Sequence, residues 1–122
     1  MLLHAITDAL LGAAGLGDIG EMFPNDDAAN RDRDSAEMLQ LAYEKVAAAN
    51  YTIVNLDCIV HAQRPKLSPH KETICRKIAE ILHVLPEQVG IKGKTGENVG
   101  PIGQQEAIAA QCVMLLEKNE SM

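Results

Sequence analysis

The chain begins with apolar residues at helical spacing, and the same spacing returns twice further along. The first run predicts a helix from Leu2 to Ala14, which is followed by a glycine-rich loop. Asp34 and Glu37 form a capping pair for a second helix. Ser68 and Pro69 suit the N-cap and the first position of a third helix. The apolar stripes that mark these helices are, in chain order, Leu3, Ile6, Leu10 and Ala14; Leu39, Ala42, Val46 and Ala49; and Ile74, Ile78, Ile81 and Leu82.

Between the second and third helices the apolar spacing changes to two, which predicts a strand from Tyr51 to Gln63. Its first face carries Thr52, Val54, Leu56, Cys58, Val60 and Ala62. The opposite face mixes apolar and polar residues, as faces that meet a neighbouring subunit or line a cavity often do. The stretch VGIKGKT predicts a short strand over 89–95. Residues 107–116 stay open, because their alanines favour a helix while their alternation favours a strand. Helices mixed with a few long strands predict an α+β or α/β fold.

Composition narrows the classes of protein that fit this pattern. The 122 residues are 47% hydrophobic but only 2% aromatic, so the core is built from aliphatic side chains. A net charge of −6 without a basic run excludes a nucleic-acid partner bound by counterion release. No stretch reaches transmembrane length, so we also expect no membrane partner. The 3 cysteines lack C-x-x-C spacing, which fits a reducing cytoplasm rather than a disulfide framework.

Two stretches carry side chains suited to binding chemistry. His4 and Asp8 are one helical turn apart, which suits a metal-binding imidazole oriented by a carboxylate. A surface pair is the simpler interpretation of these two residues alone. In FPNDD, Asp26 and Asp27 could hold hydroxyl groups or a cation, or simply be solvated.

The stretch KGKTGENVGPIG suggests phosphate binding. It offers Lys92, Lys94 and the Thr95 hydroxyl, with Glu97 able to hold a hard cation nearby. It is not a P-loop, because position 88 is a glutamine where that motif needs glycine. A lysine- and glycine-rich hairpin without a ligand is the alternative interpretation.

The order of these motifs is more specific than any one of them. HAITDALLGAAGLGDIGEMFPND, DSAEML, AQRPKLSPH, KTGENVG and QEAIAAQ, in that order, closely resemble the 2-C-methyl-D-erythritol 2,4-cyclodiphosphate synthase family of the non-mevalonate pathway of isoprenoid and terpenoid biosynthesis. The resemblance covers the chain, so we expect 1–122 to form a single domain. It implies an α+β subunit whose mixed sheet packs against helices on one face, with the last segment as a strand. It also implies a cytoplasmic, bacterial-type protein; a plastid location stays open if an upstream segment is missing.

The resemblance further implies a lyase that acts on a small phosphorylated substrate in a homotrimer, with active sites between subunits. The substrate is 4-diphosphocytidyl-2-C-methyl-D-erythritol 2-phosphate. Its 2-phosphate attacks the β-phosphate of the cytidine diphosphate, and cytidine monophosphate leaves. Because both groups belong to one molecule, catalysis is mainly positioning and charge neutralisation. Zn²⁺ or a similar ion, together with Mg²⁺ or Mn²⁺, is the implied source of positive charge.

The same resemblance implies roles for individual residues. His4 matches a zinc ligand, Thr95 a catalytic residue that stabilises the transition state, and Glu97 a ligand of the second cation. Gln104 stands where the family often has arginine. The implied substrate-binding residues are Asp18, Ile19, Gly20, Phe23, Pro24, Asn25, Asp26 and Asp27; Ala62, Gln63, Arg64, Pro65, Lys66, Leu67 and Ser68 of a cytidine pocket; and Lys94, Thr95, Gly96, Glu97 and Gln104.

The family begins with a strand that carries an Asp-x-His pair, the source of two further zinc ligands, and a hairpin follows that strand. This sequence starts three residues before His4, so we expect a subunit that lacks its N-terminal strands. One alternative is a non-catalytic trimeric remnant that binds cytidine nucleotide or only assembles. A small acidic carrier or adaptor domain is a third hypothesis, suggested by KIAEILHVLPEQV, although no attachment serine supports it.

Overall fold

A computed structural model describes residues 1–30, 33–63, 67–104 and 107–120. Within these ranges no helix is long and apolar enough to cross a membrane. Single turns of 3₁₀ helix occur at Ala28–Asn30, Ser68–His70 and Pro86–Gln88. The helices and strands are, in chain order, α1 (Leu2–Ala13), α2 (Ile19–Met22), α3 (Ser35–Ala48), β1 (Tyr51–His61), α4 (Lys71–Leu82), β2 (Val89–Lys94), α5 (Gly100–Gly103) and β3 (Ala109–Lys118).

The three described strands form one mixed sheet in the order β2-β1-β3. β1 runs parallel to β2, with α4 in the crossover between them, and antiparallel to β3. The last segment is therefore a strand, as the family resemblance implied. Together with the helices, the mixed sheet confirms the predicted α+β class.

The core lies between the sheet and one layer of helices. α1, α3 and α4 bring Ile6, Leu39 and Ile78 against the inward face of the strands, where Cys58 and Ile91 are also buried. The buried face of α1 is wider than the predicted stripe, because it includes Leu11 and Thr7. The Thr7 hydroxyl is satisfied by donating to the Leu3 carbonyl at 2.7 Å, so its burial leaves no polar group without a partner.

The predicted faces of β1 are wrong before residue 55. Ile53 pairs with Leu116 and Asn55 pairs with Leu115, which leaves Val54 as an extra, unpaired residue in β1. This β-bulge turns Ile53 into the core, where it is 5% exposed, and leaves Val54 36% exposed. Uninterrupted alternation would have placed these two side chains the other way round.

Of the two helix N-caps predicted from the sequence, the structure confirms one and contradicts the other. Asp34 caps α3 as expected, since its Oδ1 accepts a hydrogen bond from the Ala36 N–H at 3.0 Å. Ser68 does not cap α4: Ser68–His70 is a 3₁₀ turn, and the α-helix begins at Lys71. The predicted strand also ends earlier than expected, at His61.

Candidate functional site

A cavity of about 640 Å³ opens beyond the carboxyl ends of the parallel strands β1 and β2. Ligands commonly bind at this end of parallel strands, because the chain leaves the sheet there in loops. The structure brings together, around this cavity, six of the residues assigned to substrate binding: Ala62, Gln63, Leu67, Ser68, Lys94 and Thr95. Arg64, Pro65 and Lys66, the rest of the proposed cytidine segment, lie outside the described residues.

Three lysines line the same cavity: Lys71, Lys92 and Lys94. Their charge suits the phosphate groups of an anionic ligand. Lys92 is also paired with the Asp57 carboxylate on the neighbouring strand, which offsets part of its charge. Lys71 and its neighbour His70 were missed in the sequence. They could have been found from their position in the sequence, directly after Ser68 and Pro69 of the proposed cytidine segment, because the first turn of α4 borders the cavity.

A loop after β2 continues the wall of the cavity. The Thr95 hydroxyl accepts a hydrogen bond from the Glu97 N–H at 3.2 Å, which orders the turn between them. The next residue, Asn98, donates its N–H to the Gln63 side chain at 3.4 Å and so joins this loop to the end of β1. The Gln104 amide donates to the Asn98 carbonyl, which gives Gln104 a structural contact within the loop.

Close backbone packing holds this loop against α5. A Cβ atom on Gly96 would lie 2.6 Å from the Gly103 Cα, well inside any normal contact distance. A Cβ atom on Gly103 would in turn lie 2.6 Å from the Asn98 carbonyl carbon. Glycine at both positions therefore lets the segment that carries Thr95 and Glu97 pack directly on the short helix.

The second group of predicted residues lies on the helices. His4 Nε2 is 3.0 Å from the Ser35 hydroxyl oxygen at the start of α3. Asp8 does not orient His4: its Oδ1 accepts a hydrogen bond from the Ile19 N–H at 3.0 Å. Asp18 caps α2 by accepting from the Glu21 N–H at 2.8 Å. The DIG motif is thus fixed to α1 by Asp8, the carboxylate that one of the two interpretations of the sequence placed beside His4 in a metal site.

The FPND stretch follows α2 and is anchored at its first two residues. Phe23 is 6% exposed, and the Arg33 guanidinium carbon lies 5.5 Å from the centre of its ring. The Asn30 side chain donates to the Pro24 carbonyl at 2.9 Å, closing the segment into a compact loop. Asn25, Asp26 and Asp27 remain exposed on that loop.

Among the described residues, the donors for the two implied metal ions are incomplete. In the ranges that the structure describes, no group of three histidine, cysteine or acidic side chains is placed to hold a metal. His4 and Glu97 are each single donors, whereas catalytic zinc takes three protein ligands. The described residues by themselves therefore do not fit either ion. Any metal bound at His4 takes its other donors from outside the described part of one chain.

The two groups of residues are separate on the subunit. The lining of the cavity includes Lys94 and Thr95 but none of His4, Asp8 and Asp18. The hydrogen bonds of these three side chains connect α1, α2 and α3 instead. The part of the chain that the structure describes therefore presents two partial sites rather than one complete site.

These features define an α+β subunit with a lysine-lined cavity at the strand ends and a separate histidine–aspartate cluster. The model of the YgbB family matches residues 1–117, so the chain belongs to that family. Relatives of known name are 2-C-methyl-D-erythritol 2,4-cyclodiphosphate synthases. That of Shouchella clausii is 48% identical over 120 residues, covering 98% of this chain and 76% of the relative. That of Bordetella pertussis is 49% identical over 118 residues, covering 97% and 73%.

Solved structures agree with this assignment. IspF of Plasmodium falciparum, solved as a CDP complex, has a TM-score of 0.85 and 36% identity, covering 97% of this chain and 70% of that one. The bifunctional IspDF of Campylobacter jejuni gives a TM-score of 0.92 and 39% identity. This match covers 98% of this chain and 32% of the bifunctional protein. The resemblance found in the sequence to the cyclodiphosphate synthases is confirmed.

Proposed function

We propose that this chain is a subunit of a cytoplasmic 2-C-methyl-D-erythritol 2,4-cyclodiphosphate synthase and that residues 1–122 are a single domain. The observation that carries the proposal is the cavity. It joins the proposed cytidine segment, through Gln63 and Ser68, to Lys94 and Thr95 on the neighbouring strand end. A nucleoside diphosphate needs both features, a pocket for its base and cations for its phosphates. IspF of Plasmodium falciparum, to which this chain is similar, was solved with CDP.

The reaction follows from that arrangement. An oxygen of the substrate's 2-phosphate attacks the β-phosphorus, the new P–O bond closes the ring, and the bond to cytidine monophosphate breaks. The lysines reduce the repulsion between the two phosphates, and the Thr95 hydroxyl donates a hydrogen bond to the developing charge. Zinc and Mg²⁺ or Mn²⁺, when bound, supply further positive charge, with His4 and Glu97 as donors from this chain.

The separation of the two partial sites supports a homotrimer with shared active sites. In it, the cavity of one subunit meets the His4–Asp18 cluster of its neighbour. The sheet face opposite the helices offers a surface for this assembly. Val113 and Leu115 of β3 are 76% and 56% exposed on that face, where they pair with Asp57 and Asn55 of β1. Exposed apolar patches of this kind mark interaction surfaces.

The test is release of cytidine monophosphate from the cyclisation substrate with zinc and magnesium added. We expect turnover in the assembled protein and a loss of about 100-fold in Thr95→Ala, the usual cost of removing one transition-state donor. Leu85→Ala, an exposed residue not among the cavity-lining residues, is the matched control and keeps full activity. A folded sample that binds CDP but releases no cytidine monophosphate would identify a non-catalytic nucleotide-binding protein instead.

A further inference from the structure

Two cysteines face each other across the sheet. Cys58 of β1 and Cys112 of β3 occupy directly paired positions in the antiparallel ladder. Their Sγ atoms are 3.6 Å apart, and neither is in a disulfide. Paired residues in antiparallel strands have Cα atoms about 4.5 to 5.5 Å apart, within the span that a disulfide bridges. Backbone geometry therefore allows these sulfurs to bond after a change of side-chain rotamer.

The two sulfurs differ in access to solvent. Cys58 is 0% exposed and belongs to the core. Cys112 is half-buried and borders an open groove of about 500 Å³, which Ala5 and Asp8 of α1 line from the other side. A small oxidant can therefore approach Cys112, while Cys58 is reached only through its partner. Both sulfurs lie on the helix side of the sheet, although the groove beside Cys112 also borders Ile59 and Val113 of the face proposed to join subunits.

The contact also shifts the pKa values of the two thiols in opposite directions. The Sγ atoms of Cys58 and Cys112 are within hydrogen-bonding distance of each other. Their contact lowers the pKa of Cys58 and raises the pKa of Cys112, and burial raises the pKa of Cys112 further. Cys75 differs, since its thiol approaches the Val89 carbonyl and burial raises its pKa.

We propose that Cys58 and Cys112 are a dithiol site for peroxide, at which oxidation closes a disulfide between β1 and β3. Peroxide transfers one oxygen to the Cys112 sulfur, which is the one it can reach, giving a sulfenic acid and one water. The raised pKa of the Cys112 thiol makes this the slow step. The Cys58 thiol gives up its proton and its sulfur attacks the oxidised Cys112 sulfur; hydroxide leaves, and the Cys58 proton converts that hydroxide to a second water. The balance is two thiols and one hydrogen peroxide to one disulfide and two waters. The disulfide ties the outer strand β3 to the centre of the sheet.

The experiment is treatment of the native chain with hydrogen peroxide, followed by intact mass measurement and peptide mapping. We expect the loss of two hydrogens, one remaining free thiol, and a linked peptide that contains Cys58 and Cys112. Cys75→Ser is the matched control and still gives the same linked product. Cys112→Ser changes a half-buried position rather than the core, and we expect it to give no linked product.

Three results would overturn the proposal. They are a linkage that involves Cys75, oxidation of single cysteines without any linkage, and no change of mass in protein that circular dichroism shows to be folded. The measurement needs neither substrate nor metal, so it is decided independently of the proposed synthase activity.

Discussion

Asp8 on α1 holds the DIG motif through its hydrogen bond with the Ile19 N–H, 3.0 Å long. The two residues are eleven positions apart, separated by the glycine-rich loop. This bond joins the helix that carries His4 to the residues proposed to bind substrate. The direction of the DIG backbone is therefore set by α1 and not only by its own turn.

Asp8→Ala is expected to loosen the DIG turn. Removing the acceptor exposes the Ile19 N–H to water and costs about 1 kcal/mol in the free energy of unfolding. Hydrogen exchange at the Ile19 amide would measure the change, and we expect faster exchange. Asp8→Asn keeps an oxygen acceptor and is the control, with exchange close to the original. Equal protection in the alanine variant would contradict the role given to Asp8.

Gly96→Ala is expected to displace the loop that carries Thr95 and Glu97. The added methyl group has no room, because Gly103 occupies its position. We expect cytidine monophosphate release to fall at least 10-fold, because misplacement by about 1 Å can cost that much or more. Gly12→Ala is the control, since a Cβ there meets nothing within 4 Å and alanine favours the helix. Normal turnover in Gly96→Ala would show that the loop moves without consequence.

Leu115→Asp is expected to prevent assembly of the proposed trimer. The substitution places a charge next to the exposed Val113 on the outer face of the sheet, where burying an unpaired carboxylate in the proposed interface is costly. Sedimentation would show a 13.2 kDa monomer rather than a trimer. Leu85→Asp is the matched control, because Leu85 is 59% exposed and Leu115 is 56% exposed, but Leu85 lies outside the sheet. A trimer that survives Leu115→Asp would place the interface elsewhere.

His4→Ala is expected to abolish zinc binding by the assembled protein. His4 is the one zinc ligand proposed for this chain, so replacing it removes the chain's own donor to any zinc that the assembled protein retains. Zinc content after dialysis measures this directly. Ser35→Ala is the companion variant: it removes the hydroxyl beside His4 Nε2 but no proposed ligand, so we expect zinc to be retained with about 10-fold lower affinity. Unchanged zinc content in His4→Ala would exclude this histidine as a ligand.

Local patterns in the sequence located most of the secondary structure. Leu2–Ala13 and Ser35–Ala48 are helical where apolar spacing and the Asp34 cap predicted. These signals act between residues within a turn or two of one another, so a single sequence contains them in full. The last strand was different. Its alternation competed with alanine-rich helix propensity, and only the family resemblance favoured the strand, which pairing with β1 stabilises in the fold.

By itself, the sequence determined the family, the α+β class and the identity of the residues proposed to bind substrate, because these depend on the order of short motifs. The tertiary structure decided which residues meet. It formed the β-bulge at Val54 in β1 and placed Cys58 opposite Cys112. It also brought Asp8 within hydrogen-bonding distance of the Ile19 N–H, and His4 within that distance of the Ser35 hydroxyl. The physical reason is that each of these outcomes depends on packing between distant segments, and periodicity along the chain carries no information about which distant partner is adjacent.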